Sequence, residues 1–255
     1  MSNKILFVLE GQQPEKQITD NLTKFFVNEN TIVTCAYCTT IYKLYDEISK
    51  DEDLDTFNLL KSISVNKVNL KEYNRADFAE IYMFFDYDGH ATNANDDKLN
   101  QLLKFFHEET DKGKLYISYP MVESLKHIDD YQSFENLTVK CKENIDYKKI
   151  VRNSCLKDLK HIIHYDLEIW KKLIEIHLKK MNKIVNEKFE FPEMLIEQLI
   201  ILKHQKEKYI DKNQTVSVLN SFPVYLHDYY GNTELKKRIM QLPISDDKTQ
   251  NQFEL

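Results

Sequence analysis

Ala79-Glu80-Ile81-Tyr82-Met83-Phe84-Phe85-Asp86-Tyr87-Asp88-Gly89-His90 drives an unbroken apolar run, Ile81 to Phe85, straight into two aspartates and a glycine. Such a run suits a strand buried on both faces, as in a parallel α/β sheet. A strand of that kind delivers the residues beyond its carboxyl end into the crevice where α/β folds take their ligands. Here it delivers Asp86 and Asp88, with Gly89 as the residue expected to turn the chain. Two carboxylates so close repel each other unless a cation sits between them. A hard divalent ion such as Mg²⁺, which takes oxygen ligands, is the expected partner.

Upstream, Lys4 to Leu9 reads as a first buried strand closed by Glu10-Gly11, and Pro14 sits where prolines start helices. Ile18, Leu22, Phe25 and Phe26 then keep helical spacing. Thr31 to Tyr37 reads as a second strand and Thr40 as the cap of a second helix. An insertion of short helices is expected over about 50–79. Downstream, Leu99, Leu102, Leu103, Phe105 and Phe106 give another amphipathic helix, and Lys114 to Tyr119 a fourth strand. Strands alternating with helices imply a parallel sheet with right-handed crossovers. From Asp158 the apolar residues keep a helical period for almost eight turns, Pro192 is expected to start a further helix, and Leu219 to Tyr230 a last one. The expected organisation is an α/β domain over 1–139 and a helical accessory domain over 140–255.

Charge divides the same way. Residues 1–139 carry 14 basic and 24 acidic side chains, a balance of −10, whereas 140–212 carry 17 and 12, a balance of +5. A basic second half could meet a phosphate backbone, or its lysines could simply solvate long helices. No apolar run approaches the ~20 residues that span a bilayer, and the N-terminus lacks a signal-peptide pattern, so a cytoplasmic protein without membrane contact is expected. Cys35-Ala36-Tyr37-Cys38 falls in a strand pattern and has no second pair at zinc spacing, which favours packing cysteines. His161 and His164 read as part of an amphipathic face, and Trp170 as core.

The chain has only four glycines, and two of them, Gly11 and Gly89, directly follow acids at strand ends. Glu10 leaves the first strand, Glu15 lies in the first turn of the next helix, and Pro120-Met121-Val122-Glu123 brings another carboxylate from the end of the fourth strand. Acids gathered from three strand ends are what a one- or two-metal phosphoryl-transfer site requires. Each also has a structural use: strand-end aspartates cap helices or turns, and a first-turn glutamate opposes the helix dipole.

A strand ending in Glu10-Gly11 with a second acid at Glu15, followed by a strand ending in Asp86-Tyr87-Asp88-Gly89, resembles a TOPRIM domain. That domain occurs in topoisomerases, bacterial primases, small RNA-maturation nucleases and OLD-family nucleases. Ser118-Tyr119-Pro120-Met121-Val122-Glu123-Ser124 further resembles the Asn-Pro-x-x-Glu element of RloB-like, defence-associated TOPRIM proteins, with Tyr119 in place of the Asn. The likeness covers roughly residues 4–130. It implies a TOPRIM-like, Rossmann-like sheet and a Mg²⁺-dependent nuclease, with Mn²⁺ as a substitute ion, cutting DNA or RNA in defence against phage or mobile elements. By the same resemblance Glu10 is a metal ligand or general base, Asp86 and Asp88 hold Mg²⁺, Glu15 helps hold a second metal, and Glu123 is an accessory ligand. Lys126, His127 and His90 are candidates for the basic group that steadies the transition state. The alternatives are a haloacid-dehalogenase-type phosphatase, with Asp86 as nucleophile, and a non-catalytic TOPRIM subunit that binds an ATPase partner. A homodimer is a further possible assembly. The chain has no Walker A motif.

Overall fold

The apolar strands assemble in the expected order. In the computed structural model, which describes residues 4–27, 32–50 and 53–240, the chain begins with β1 (Lys4–Leu9), α1 (Glu15–Leu22), β2 (Ile32–Ala36), α2 (Ile41–Ile48) and α3 (Thr56–Ser62). It continues through β3 (Phe78–Asp86), α4 (Asp96–Phe105), β4 (His107–Glu108) and β5 (Gly113–Ser118). These five strands form one sheet in the order β2-β1-β3-β5-β4. All neighbours are parallel except β4, which pairs antiparallel with β5. From β1 the chain crosses to one side, to β2, and from β3 to the other, to β5. The order therefore reverses between β1 and β3, the topological switch point at which α/β sheets bind ligands.

Beyond β5 come β6 (Thr138–Lys140), α5 (Tyr147–Ser154), α6 (Leu167–Asn186) and α7 (Gln198–Gln205). A π-helical segment, Lys206–Ile210, runs into α8 (Asp211–Asn213), then β7 (Thr215–Ser217) and α9 (Ser221–Met240). The helix α9 breaks at Gly231, whose φ is 72°. The strands β6 and β7 pair antiparallel, so the expected boundary at 139/140 falls inside β6. The helices α2 and α4 pack together on one side of the sheet, while α9 lies against β3 and β5 and packs on α6. The α9 face is aromatic: Phe222 stacks on Phe84 at 4.4 Å, and Tyr225 meets Phe7, Tyr82 and Tyr116. Trp170 of α6 is fully buried against Phe26 and donates its indole N–H to Asn21 Oδ1 at 2.6 Å.

Four expectations are corrected. The helical pattern from Asp158 is not one helix. Two 3₁₀ turns, Lys157–Leu159 and Ile162–His164, precede α6, and the Asp166 side chain caps α6 by accepting the Ile169 N–H. Tyr165 donates its hydroxyl to Leu159 O and holds that fold-back. No helix starts at Pro192; α7 begins at Gln198, and Asn182 and Asn232 donate to the carbonyls of Glu190 and Glu193, holding the connection as a loop. The two-residue β4 lies ahead of Gly113, in a stretch for which no strand was expected. Of the CxxC pair, Cys35 is buried as expected, but Cys38 is exposed. Thr31 lies outside the described residues. Among the described residues no helix is long and apolar enough to cross a membrane.

Candidate functional site

Glu10 continues β1 by one residue. Its N–H donates to Phe84 O at 3.1 Å, and its carbonyl accepts the Cys38 N–H at 2.8 Å. Hydrogen-bonded on both sides, its backbone is fixed and so is the start of its side chain, whose Oε2 accepts the Asp86 N–H at 2.8 Å. The ladder also runs past the end of β3: Tyr87 N–H donates to Ser118 O and Asp88 N–H to Pro120 O. The switch point thus holds Glu10 against the very residue that carries the first aspartate. The turn itself differs from expectation. Asp88, not Gly89, adopts the left-handed conformation, at φ 43°, which aspartate tolerates better than most residues. Gly89 is required for space: a Cβ there would strike the Tyr87 ring and lie 2.8 Å from the Cys141 carbonyl oxygen.

The other two acids arrive from neighbouring segments. Glu15 opens α1 and is buried, and a Cβ on Gly11 would lie 3.4 Å from its Oε1. Glu123 sits in the 3₁₀ turn Val122–Lys126 after β5, also buried. Its Oε1 lies 3.5 Å from Lys148 Nζ, on α5. Glu15 Oε2 and Glu123 Oε2 are both buried with no hydrogen-bond partner.

Electrostatics ties the five together. Burial, then the charges of Asp88 and Glu15, push Glu10 up to about 8, against the Asp86 N–H and Lys148. Asp86 is held well above the usual carboxylate range by burial and by Glu10, Asp88, Glu123 and Glu15. Burial raises Glu15, with Glu123 adding and its own N–H and that of Gly11 opposing. Burial also raises Asp88, offset by His90 and Lys148. The structure therefore brings all five sequence candidates, Glu10, Glu15, Asp86, Asp88 and Glu123, into one electrostatic neighbourhood.

The basic candidates fare differently. His90 is close enough to Asp88 for its charge to be felt. His127 is buried, and its Nδ1 is engaged with the Tyr147 hydroxyl at 3.0 Å. Among the described residues Lys126 forms no ion pair with the acids. The cation that does is Lys148, which no adjacency in the chain points to. Burial works against its charge, but Glu123, Asp86 and Glu15 together raise its proton affinity. The switch to positive charge beyond residue 140 is the one sequence signal that could have drawn attention to it.

Among the described residues no three His, Cys, Asp or Glu side chains already converge on one point as a ready metal-ligand set. The donor chemistry nevertheless fits a hard divalent cation. All five groups are carboxylates, two offer buried unpartnered oxygens, and one lysine pairs with them. To share one ion the carboxylates would have to draw together. No family model, curated protein or solved structure matches the chain.

Proposed function

We propose that this chain is a divalent-metal-dependent phosphodiesterase acting on nucleic acid, with a TOPRIM-like catalytic unit and a helical accessory region beyond residue 140. The observation that carries the reading is that acids beyond the ends of three adjacent parallel strands, β1, β3 and β5, share one electrostatic neighbourhood at the switch point of the sheet. Asp86, Asp88 and Glu10 would hold Mg²⁺ or Mn²⁺, with Glu15 and Glu123 offering the two unpartnered oxygens. When bound, such an ion activates water and offsets charge on the leaving oxygen. The chain's own groups complete the chemistry. Glu10, held in place by the Asp86 N–H on its Oε2, suits the uptake of a proton from an attacking water. Lys148, beside Glu123, suits the stabilisation of charge on the phosphoryl oxygens.

A haloacid-dehalogenase-type phosphatase is disfavoured because the Asp86-x-Asp88 motif closes the third strand and leaves Glu10 without a role. A non-catalytic subunit is disfavoured by five buried or half-buried acids kept together at a cost to stability. Defence against mobile DNA or RNA, a cytoplasmic setting, and an ATPase partner or a second copy belong to the same proposal and rest on the resemblance of the motifs. Incubation of the protein with plasmid, linear DNA and tRNA in Mg²⁺, Mn²⁺ or EDTA tests it. The expected outcome is metal-dependent cleavage reduced by about 10²-fold or more in Asp86→Ala. Folded wild-type protein that neither cleaves nor binds Mn²⁺ in a calorimetric titration would overturn it.

A further inference from the structure

Beside the acids lies a cleft of about 510 Å³. It is continuous with the acidic site: Asp88 lines it, and so does Lys148, the partner of Glu123. Four cations line it in all, Lys140, Lys148, Lys149 and Arg152, against three carboxylates, Asp88, Glu143 and Asp146. Lys148, Lys149 and Arg152 belong to α5, with Arg152 four residues beyond Lys148 and three beyond Lys149, which makes it a neighbour of both on the helix surface. The lining also has an apolar component, Pro120, Met121 and Ile145.

We infer that this cleft takes an unpaired nucleotide of a single strand, DNA or RNA, with its phosphates toward α5 and its base on the apolar lining. The inference rests on the proposed action on nucleic acid, whose substrate class it narrows. Three observations carry it. The volume is that of a site for one small ligand, and far from the surface that a duplex offers. The lining is mixed: a duplex keeps its base faces stacked inside and offers only base edges, sugar and phosphate, leaving Pro120, Met121 and Ile145 without a base face to pack on, whereas a splayed nucleotide fills both parts. Finally, Asp88 is the one of the five acids that lines the cleft, while Glu15, Asp86 and Glu123 are only 5–7 % exposed, so a phosphate held in the cleft meets the acidic site at Asp88.

Anisotropy of fluorescein-labelled oligo(dT), oligo(U) and a duplex of equal length tests this, measured with Ca²⁺ and again with EDTA. Expected is binding of either single strand about tenfold or more tighter than the duplex. Lys149→Glu with Arg152→Glu, both exposed, should weaken single-strand binding about tenfold and make the salt slope shallower by about 1.4, with an unchanged melting temperature. Lys149→Gln with Arg152→Gln should give a smaller loss in the same direction. A preference for deoxyribose or ribose would separate DNA from RNA within the proposal. Duplex bound as tightly as single strand, no single-strand binding in either condition, or charge reversal without effect in folded protein would overturn it. Cleavage of duplex that is lost in Asp86→Ala would overturn this inference and leave the proposed function standing.

Discussion

Asp88 and Gly89 divide the work of one turn, and the division is testable. Gly89→Ala places a methyl group against the Tyr87 ring and the Cys141 carbonyl. Tyr87 cannot yield easily, because its hydroxyl donates to Asp96 Oδ1 at 2.6 Å and accepts from Lys142 Nζ at 2.7 Å. Chemical denaturation should show Gly89→Ala destabilised by about 1–3 kcal/mol, the usual cost of overpacking; a loss under about 0.5 kcal/mol would mean that the turn relaxes freely. Lys148 makes the contrasting case. Its side chain is 63 % exposed, so Lys148→Ala should barely change stability. On the proposed function it should slow cleavage by about 10–100-fold, with partial recovery in Lys148→Arg; wild-type rates in Lys148→Ala would remove it from the site. Glu10 and Asp88 are legible in the sequence because each follows an apolar strand and directly precedes a glycine. Lys148 is not, since it meets Glu123 only through the tertiary placement of α5.

The element that carries Glu123 is held by a distant one. Asn220, just before α9, donates its side-chain amide to Val122 O at 2.9 Å and to Ser124 Oγ at 3.1 Å, on either side of Glu123. Ser118 and Ser221 share a hydroxyl hydrogen bond at 2.8 Å, and the backbones of Tyr119 and Leu219 exchange two more. All of these groups are buried, so a lost donor leaves a carbonyl unsatisfied. Asn220→Ala should cost about 1–3 kcal/mol in urea unfolding and, on the proposed function, reduce cleavage by loosening the turn that carries Glu123. A stable variant with full activity would show that the turn is held by its own residues. None of this clamp can be read from sequence, because Tyr119 and Leu219 meet in a single isolated bridge, too short for an alternating pattern to register. The long strands and amphipathic helices are legible because each buries a continuous apolar face. The start of α6 is hidden because apolar spacing continues through two 3₁₀ turns, and the Asp166 cap outweighs it.

Over the whole molecule, the acidic first half and the basic second half share one core, from Ile5 in β1 to Leu235 in α9. His177 of α6 lies where three of its segments meet. Its Nδ1 accepts the Asn220 N–H at 3.3 Å, which assigns the proton to Nε2, facing Leu125 O at 3.3 Å. Its surroundings are Lys180 on its own helix, the Phe134 ring at 5.0 Å, and these two backbone groups. No carboxylate appears among them, so burial holds the imidazole neutral and lowers it to about 3 from 6.5. In the unfolded chain the ring takes up a proton below pH 6.5, and in the folded protein only near pH 3. The unfolded state thus binds more protons across that window, and stability must fall as pH falls through it. At pH 5 the loss is about 2 kcal/mol, or roughly 4–8 °C in melting temperature for a chain of this size. The buried acids act in the opposite sense, since Glu10 and its neighbours hold protons more tightly in the folded protein. They do so equally in His177→Gln, which can keep a donor for Leu125 and an acceptor for Asn220 but cannot titrate. Melting curves of the two proteins from pH 7 to pH 5 should therefore diverge, the wild type losing the additional ~4–8 °C. Parallel curves would mean that His177 takes up its proton without unfolding, and that the junction of α6, Leu125 and Asn220 opens to water while the sheet stays folded.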